Sequence, residues 1–180
     1  MVALSARVAA IAVLVAATLA PAGAAPAPSV ASAPFKRNWS PPPYRIKAQV
    51  LVDALLAEHP ELIGVTFHGQ PQGMTDFTMF AATYHDRIGK VSGPDDALTL
   101  TLGRIMVETR YKPTDDPRKV VVLIPLEDKD GNDIATAVFG FRDEVGNVKA
   151  ASYYVAAAIQ LRDSLRPRIA SHDDLFAKVN

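Results

Sequence analysis

The sequence predicts an α+β domain: a five-stranded antiparallel sheet flanked by an N-terminal and a C-terminal helix. Three observations lead there. The hydrophobic periodicities run in the order helix, strand, strand, short helix, strand, strand, strand, helix. Two β-rich runs late in the chain, 119–127 and 133–142, are joined by Asp128-Lys129-Asp130-Gly131-Asn132, a hairpin signal. Strands grouped between helices, instead of strict alternation, place the helices against a sheet face.

Residues 44–59 read as the first helix, with Ile46, Val50, Ala54 and Leu55-Leu56 on one face and Pro60 as its stop. Residues 62–68 are rich in Ile, Val, Thr and Phe and read as a strand. A Gly/Pro loop over 69–73 leads to a second strand at 76–84. Residues 86–93 form a loop. Pro94-Asp95-Asp96 opens a short helix that ends near Gly103. Residues 104–111 alternate, with Ile105, Val107, Thr109 and Tyr111 on one face, as a half-buried strand does. Residues 112–118 are a turn. The hairpin follows, then a helix over 148–166 with Ala151, Tyr154, Ala158, Leu161 and Leu165 as its apolar stripe. Pro167 ends it.

The chain has 180 residues, 19 Lys+Arg against 19 Asp+Glu, and no Cys. With no basic excess, a nucleic-acid partner held by bulk charge is not expected. Apolarity is concentrated at the start. Residues 1–24 hold 19 apolar residues and one charge, Arg7. A 13-residue apolar run, 8–20, precedes Ala22-Gly23-Ala24, the layout of a secretory signal peptide cut after Ala24. That run is shorter than the roughly 18 residues a membrane helix needs. Residues 25–43 contain Pro26, Pro28, Pro34, Pro41, Pro42 and Pro43 and read as a Pro/Ala-rich linker, leaving one domain over 44–180. The expected location is periplasmic or secreted. The absence of Cys excludes a lipid anchor, disulfides and thiol catalysis.

Catalytic motifs are sparse. There is no Gly-x-Ser-x-Gly elbow, dinucleotide fingerprint or phosphate loop. Asp128-x-Asp130-x-Asn132 begins like a calcium loop, but the positions needing Gly and a bidentate carboxylate hold Asp133 and Phe139. His68, His85 and His172, with neighbouring acids, lack zinc spacing and read as surface or hydrogen-bonded side chains, His172 on a solvated tail. No metal, cofactor or catalytic residue is expected.

A ligand pocket has firmer footing. Tyr84, Arg87 and Lys90 cluster where the second strand meets its loop, His68 ends the first strand, and Tyr111 ends the third. Arg87 and Lys90 can pair with a carboxylate, and Tyr84 and Tyr111 can donate hydroxyl hydrogen bonds. These five residues are the expected binding set, and a small organic anion is the expected ligand.

Three stretches carry a family resemblance: His59-Pro60-Glu61-Leu62-Ile63-Gly64-Val65, Arg87-Ile88-Gly89-Lys90 before Pro94-Asp95-Asp96, and Asp128-Lys129-Asp130-Gly131-Asn132-Asp133-Ile134. With the element order, they make residues 44–169 similar to an extracytoplasmic PAS-like sensor domain of the single Cache type. The resemblance implies a central five-stranded antiparallel sheet with a small-ligand pocket on one face. It departs from the family at Ala135, where a Gly is usual, and at Asn180, where a membrane helix and output module usually follow. The resemblance therefore implies a ligand-binding sensor that acts through a membrane-bound partner, and it allows a homodimer through the terminal helices. The alternative expectation is a small periplasmic enzyme on a cystatin-like α+β fold, with His68 or His85 as base. Inward-pointing Arg87 favours the first, and a buried His near a carboxylate favours the second.

Overall fold

The computed structural model describes residues 35–109, 118–144 and 149–179. Its elements are α1 (Lys47–Glu58), β1 (Leu62–Gly69), β2 (Thr78–Ala82), a 3-10 turn (His85–Arg87), α2 (Pro94–Leu102), β3 (Met106–Thr109), β4 (Arg118–Glu127), β5 (Asp133–Asp143) and α3 (Ala151–Leu165), closed by two 3-10 turns. The five strands form one antiparallel sheet in the order β2-β1-β5-β4-β3. The expected α+β class and five-stranded antiparallel sheet are those of the protein.

Strand alternation divides the sheet into two unlike faces. Val65 and Phe67 of β1, Phe139 and Phe141 of β5, and Val120, Val122 and Ile124 of β4 join the buried core. Helices α1 and α3 cover this face, contributing Leu51, Val52 and Leu55 from α1 and Tyr154, Ala158, Leu161 and Leu165 from α3. On the opposite face lie Gly64, Thr66 and His68, paired across to Gly140, Val138 and Thr136 of β5. Helix α2 covers part of it, touching β1, β4 and β5.

The hairpin forms where its turn residues place it. Gly131 takes φ +86, and the Asp128 carboxylate accepts the backbone N–H groups of Asp130 and Asn132 at 3.0 Å each. Those bonds, led by the Asn132 side chain, hold the Asp128 carboxyl below the usual range. The Asp128 carboxylate thus serves the turn, while Asp130 pairs with exposed Lys129.

Several expectations shift. The buried face of α1 is Ala48, Gln49, Leu51, Val52 and Leu55, while Val50 and Ala54 are half-buried and Leu56 is 36% exposed. Gln49 fixes that phase, because its amide both donates to and accepts from the Ala82 backbone at 3.0 Å. β3 shows no clean alternation, with Met106, Val107 and Glu108 all half-buried, since it is the sheet edge. His172 is not on a free tail: its ring lies 5.3 Å from Phe176, and the segment after it returns to α1 through Lys47–Asp174 at 2.6 Å and an Ile46–Lys178 bridge. Residues 36–39, read as linker, pair with the loop after β2.

The Tyr154 hydroxyl donates to buried Asp143 at 2.7 Å. Burial, then the Asp143 carboxylate, pushes the Tyr154 pKa from 10.0 up to about 12. A raised folded pKa means that the stabilisation is complete below pH 10 and disappears as pH rises towards 12. Chemical denaturation of Tyr154→Phe should show a loss of about 1–3 kcal/mol at pH 7, because Asp143 loses its donor. The difference from the native chain should shrink across that alkaline window.

Candidate functional site

The face of the sheet away from α1 and α3 holds a cavity of about 210 Å³. Its floor is Thr66, Val121 and Val138, and its walls include His68, Met79, Tyr84, Arg87, Lys90, Asp95, Asp96 and Lys119. Four expected site residues, His68, Tyr84, Arg87 and Lys90, thus come together. Tyr111 lies outside the described residues.

Two wall residues of the cavity, Tyr84 and Lys119, are seated over glycines. Gly64 and Gly140 face each other across β1 and β5. A Cβ on Gly64 would stand 3.0 Å from the Tyr84 ring, and one on Gly140 would stand 2.6 Å from Lys119 Cε. The bare backbone lets the Tyr84 ring and the Lys119 stem lie flat on the sheet. Tyr84 is held there by its hydroxyl, which donates to the Ile63 carbonyl at 2.7 Å. That corrects its expected role: the hydroxyl is engaged, and what Tyr84 offers is a ring face. Arg87 Cζ stands 4.8 Å from the ring centroid and Lys119 Nζ 5.5 Å, both at cation–π range.

β2 adds Met79 to the wall through a bulge. Phe67 pairs with Ala81 and His68 with Met79, so Phe80 is the extra residue. Phe80 turns into the core, 4.9 Å from the Phe176 ring.

His68 is 5% exposed. Its Nε2 lies 2.7 Å from Thr66 Oγ1, and its Nδ1 lies 2.8 Å from Ser92 Oγ and 3.2 Å from Asp96 Oδ2. In the tautomer with the proton on Nδ1, that side of the ring faces the Asp96 carboxylate and the Ser92 hydroxyl as a donor, and Nε2 accepts from the Thr66 hydroxyl. Asp96 also accepts the Gly93 N–H at 2.8 Å, closing the first turn of α2, and its own carbonyl accepts from Thr136 at 2.7 Å. The start of α2 is therefore pinned to the sheet by polar bonds. The cavity has a cationic wall, Arg87, Lys90 and Lys119, facing an acidic one, Asp95 and Asp96.

Sequence reasoning missed Thr66, Lys119, Asp95 and Asp96 as lining residues. Thr66 was recoverable, because strand period two places it beside His68. Lys119 was not, because its place depends on β4 lying next to β5.

His85 sits apart. It is exposed, and its Nε2 is 3.3 Å from Asp53 Oδ1, within a surface group that includes Arg45 and Gln49. Burial tends to raise the Asp53 pKa, but bonds from Arg45, Gln49 and His85 outweigh it and hold the carboxyl low. Among the described residues, no group of three His, Cys, Asp or Glu could hold a metal.

A larger hollow of about 770 Å³ lies between Glu61, Phe141 and the first turns of α3. It contains none of the expected residues. The smaller cavity is the candidate because four of the expected residues line it, together with Lys119 of β4 and the acids of α2.

No protein-family model matches the chain, and no curated protein matches it. Two solved structures share part of its backbone outline. The sensor domain of DcuS from E. coli is 16% identical, with a TM-score of 0.37, over 64% of this chain and 71% of that one. The type II free methionine-R-sulfoxide reductase of Thermoplasma acidophilum is 15% identical, with a TM-score of 0.46, over 73% of this chain and 93% of that one. One is a sensor domain and the other an enzyme, and at these scores neither bears on what this chain does.

Gly64→Val should push Tyr84 off the sheet and break its bond to Ile63. The expected loss is about 1 kcal/mol in denaturant unfolding. Tyrosine fluorescence should report a more exposed ring.

Proposed function

We propose that this chain is a small-anion-binding, sensor-like domain of the PAS/Cache kind, exported by residues 1–24 and acting through a partner protein. The observation that carries this reading is the convergence of Arg87, Lys90 and Lys119 on one cavity of about 210 Å³. Ligand pockets for drug-sized molecules run from about 300 Å³ upward, so this one suits a small ligand. Arg87 and Lys90 form no ion pair with acids among the described residues, which leaves both cations available to a carboxylate. Tyr84 orients Arg87 through its ring face, and Thr66 supplies a hydroxyl at the floor. Export rests on the signal-like sequence of residues 1–24, and no helix among the described residues is long and apolar enough to cross a membrane. Ligand capture between the sheet and the loop after β2 would shift the populations of that loop, which a partner can read.

The check is a thermal-shift screen against organic acids, amino acids and metal ions. A ligand present at 100 times its Kd adds about 2.7 kcal/mol and raises the melting temperature. An organic anion should do so in the native chain and fail to do so in Arg87→Ala, whose own melting temperature stays close to native. Equal shifts in both proteins would move the site elsewhere.

A second reading has its own observation. The line Thr66 Oγ1, His68 Nε2, His68 Nδ1, Asp96 Oδ2 has the hydroxyl–base–carboxylate order of an activated nucleophile. This supports the enzyme alternative through His68 and not His85, whose exposed ring has no hydroxyl partner among the described residues. Activated esters separate the two readings. The sensor reading expects no turnover above buffer, and the enzyme reading expects turnover lost in both Thr66→Val and His68→Ala.

A further inference from the structure

Residues 36–39 are tied to the loop that carries Arg87 and Lys90. The Lys36 carbonyl accepts the Val91 N–H at 3.0 Å, and the Asn38 N–H donates to the Gly89 carbonyl at 3.0 Å. Arg37 faces Lys90 in an antiparallel bridge, and its guanidinium donates to the Asp86 carbonyl. On its other side the same loop is held by β2, where Met79 N–H donates to Lys90 at 2.9 Å and Gly89 N–H to Met79 at 2.8 Å. Residues 89–91 are thus a rung between β2 and residues 36–38.

Gly89 makes this approach possible. Its φ is +85, and a Cβ there would drive into the Trp39 carbonyl oxygen. Trp39 is anchored in turn, edge-on to Phe176 at 6.3 Å. The Phe35 ring lies 5.1 Å from Arg37 Cζ and 5.9 Å from Lys90 Nζ. The turn between Tyr84 and Ile88, by contrast, buries none of its residues. A segment with so little packing of its own opens easily unless something else holds it.

We propose that residues 36–39 are a strap that orders the cationic wall of the cavity, and that strap docking and anion binding are coupled. The proposal rests on the anion-binding reading above. An anion bridging Arg87 and Lys90 needs both side chains presented from one loop geometry, and a docked strap removes that ordering cost before the anion arrives. Linkage makes the effect reciprocal: the factor by which the strap tightens anion binding is the factor by which the anion tightens the strap.

The test is amide hydrogen exchange on the full chain, native and Gly89→Ala, with succinate and inorganic phosphate as separate probes. In Gly89→Ala, the amides of Asn38, Val91 and residues 85–90 should exchange about tenfold faster, with β1, β4 and β5 unchanged, and succinate binding should weaken about tenfold. In the native chain, saturating succinate should slow exchange at Asn38 and Val91 by a similar factor. Arg37→Ala leaves the Gly89 backbone untouched and should show the same pattern more weakly, with Arg37→Lys restoring part of it. Unchanged exchange at 85–91 in both variants overturns the strap. Succinate binding with no response at Asn38 and Val91 overturns the coupling. A native chain that binds neither probe refutes the anion reading and the coupling together, and the exchange rates of the two variants still decide whether residues 36–39 hold the loop.

Discussion

The register of β1 against β5 is the constraint on which both halves of the molecule depend. It sets Gly64 opposite Gly140, Thr66 opposite Val138 and His68 opposite Thr136, with Val65 and Phe67 turned the other way. A slip of one residue would exchange the two sets. His68 would enter the apolar layer among Phe139 and the α1 leucines, and Phe67 would fill the hollow. Core and cavity are therefore specified together, and the burial of Phe67, fully enclosed, holds His68 in place on the far side of the same strand.

The two faces are closed by different physics. Apolar packing from α1 and α3 seals one. On the other, α2 buries only Thr99 and leaves Leu98 and Leu102 half-exposed at 45% and 53%. Its hold on the sheet comes from Thr136 bonding the Asp96 carbonyl and from Asp96 reaching His68 and Gly93. A polar, thinly packed cover costs less to lift than an apolar one, which suits the side of a sheet where a small molecule must enter.

What the sequence made legible follows from how local each signal is. The β4–β5 hairpin was readable because Asp128, Gly131 and Asn132 build their turn within five residues. Arg87, Lys90 and Tyr84 were readable as a group because they are neighbours in the chain, and His68 because it ends a strand beside them. The phase of α1 was not, since Val50, Leu51, Val52, Ala54, Leu55 and Leu56 surround most of the helix with apolar side chains. A single distant contact, Gln49 to the Ala82 backbone, chooses among the possible faces. Lys119 and Gly140 join the site only through the β1-β5-β4 strand order, which no local window encodes. Residues 36–39 looked like linker because prolines surround them, whereas their pairing depends on Gly89, some fifty positions away.

The paired glycines also carry information of a comparative kind. Gly64 and Gly140 are bare where the Tyr84 ring and the Lys119 stem lie, and a side chain at either in some distant relative would displace those two without touching the strand order. Such a relative would superimpose well on this chain and still present a different wall at the opening. The two positions therefore report how the walls are seated, separately from how the sheet is built.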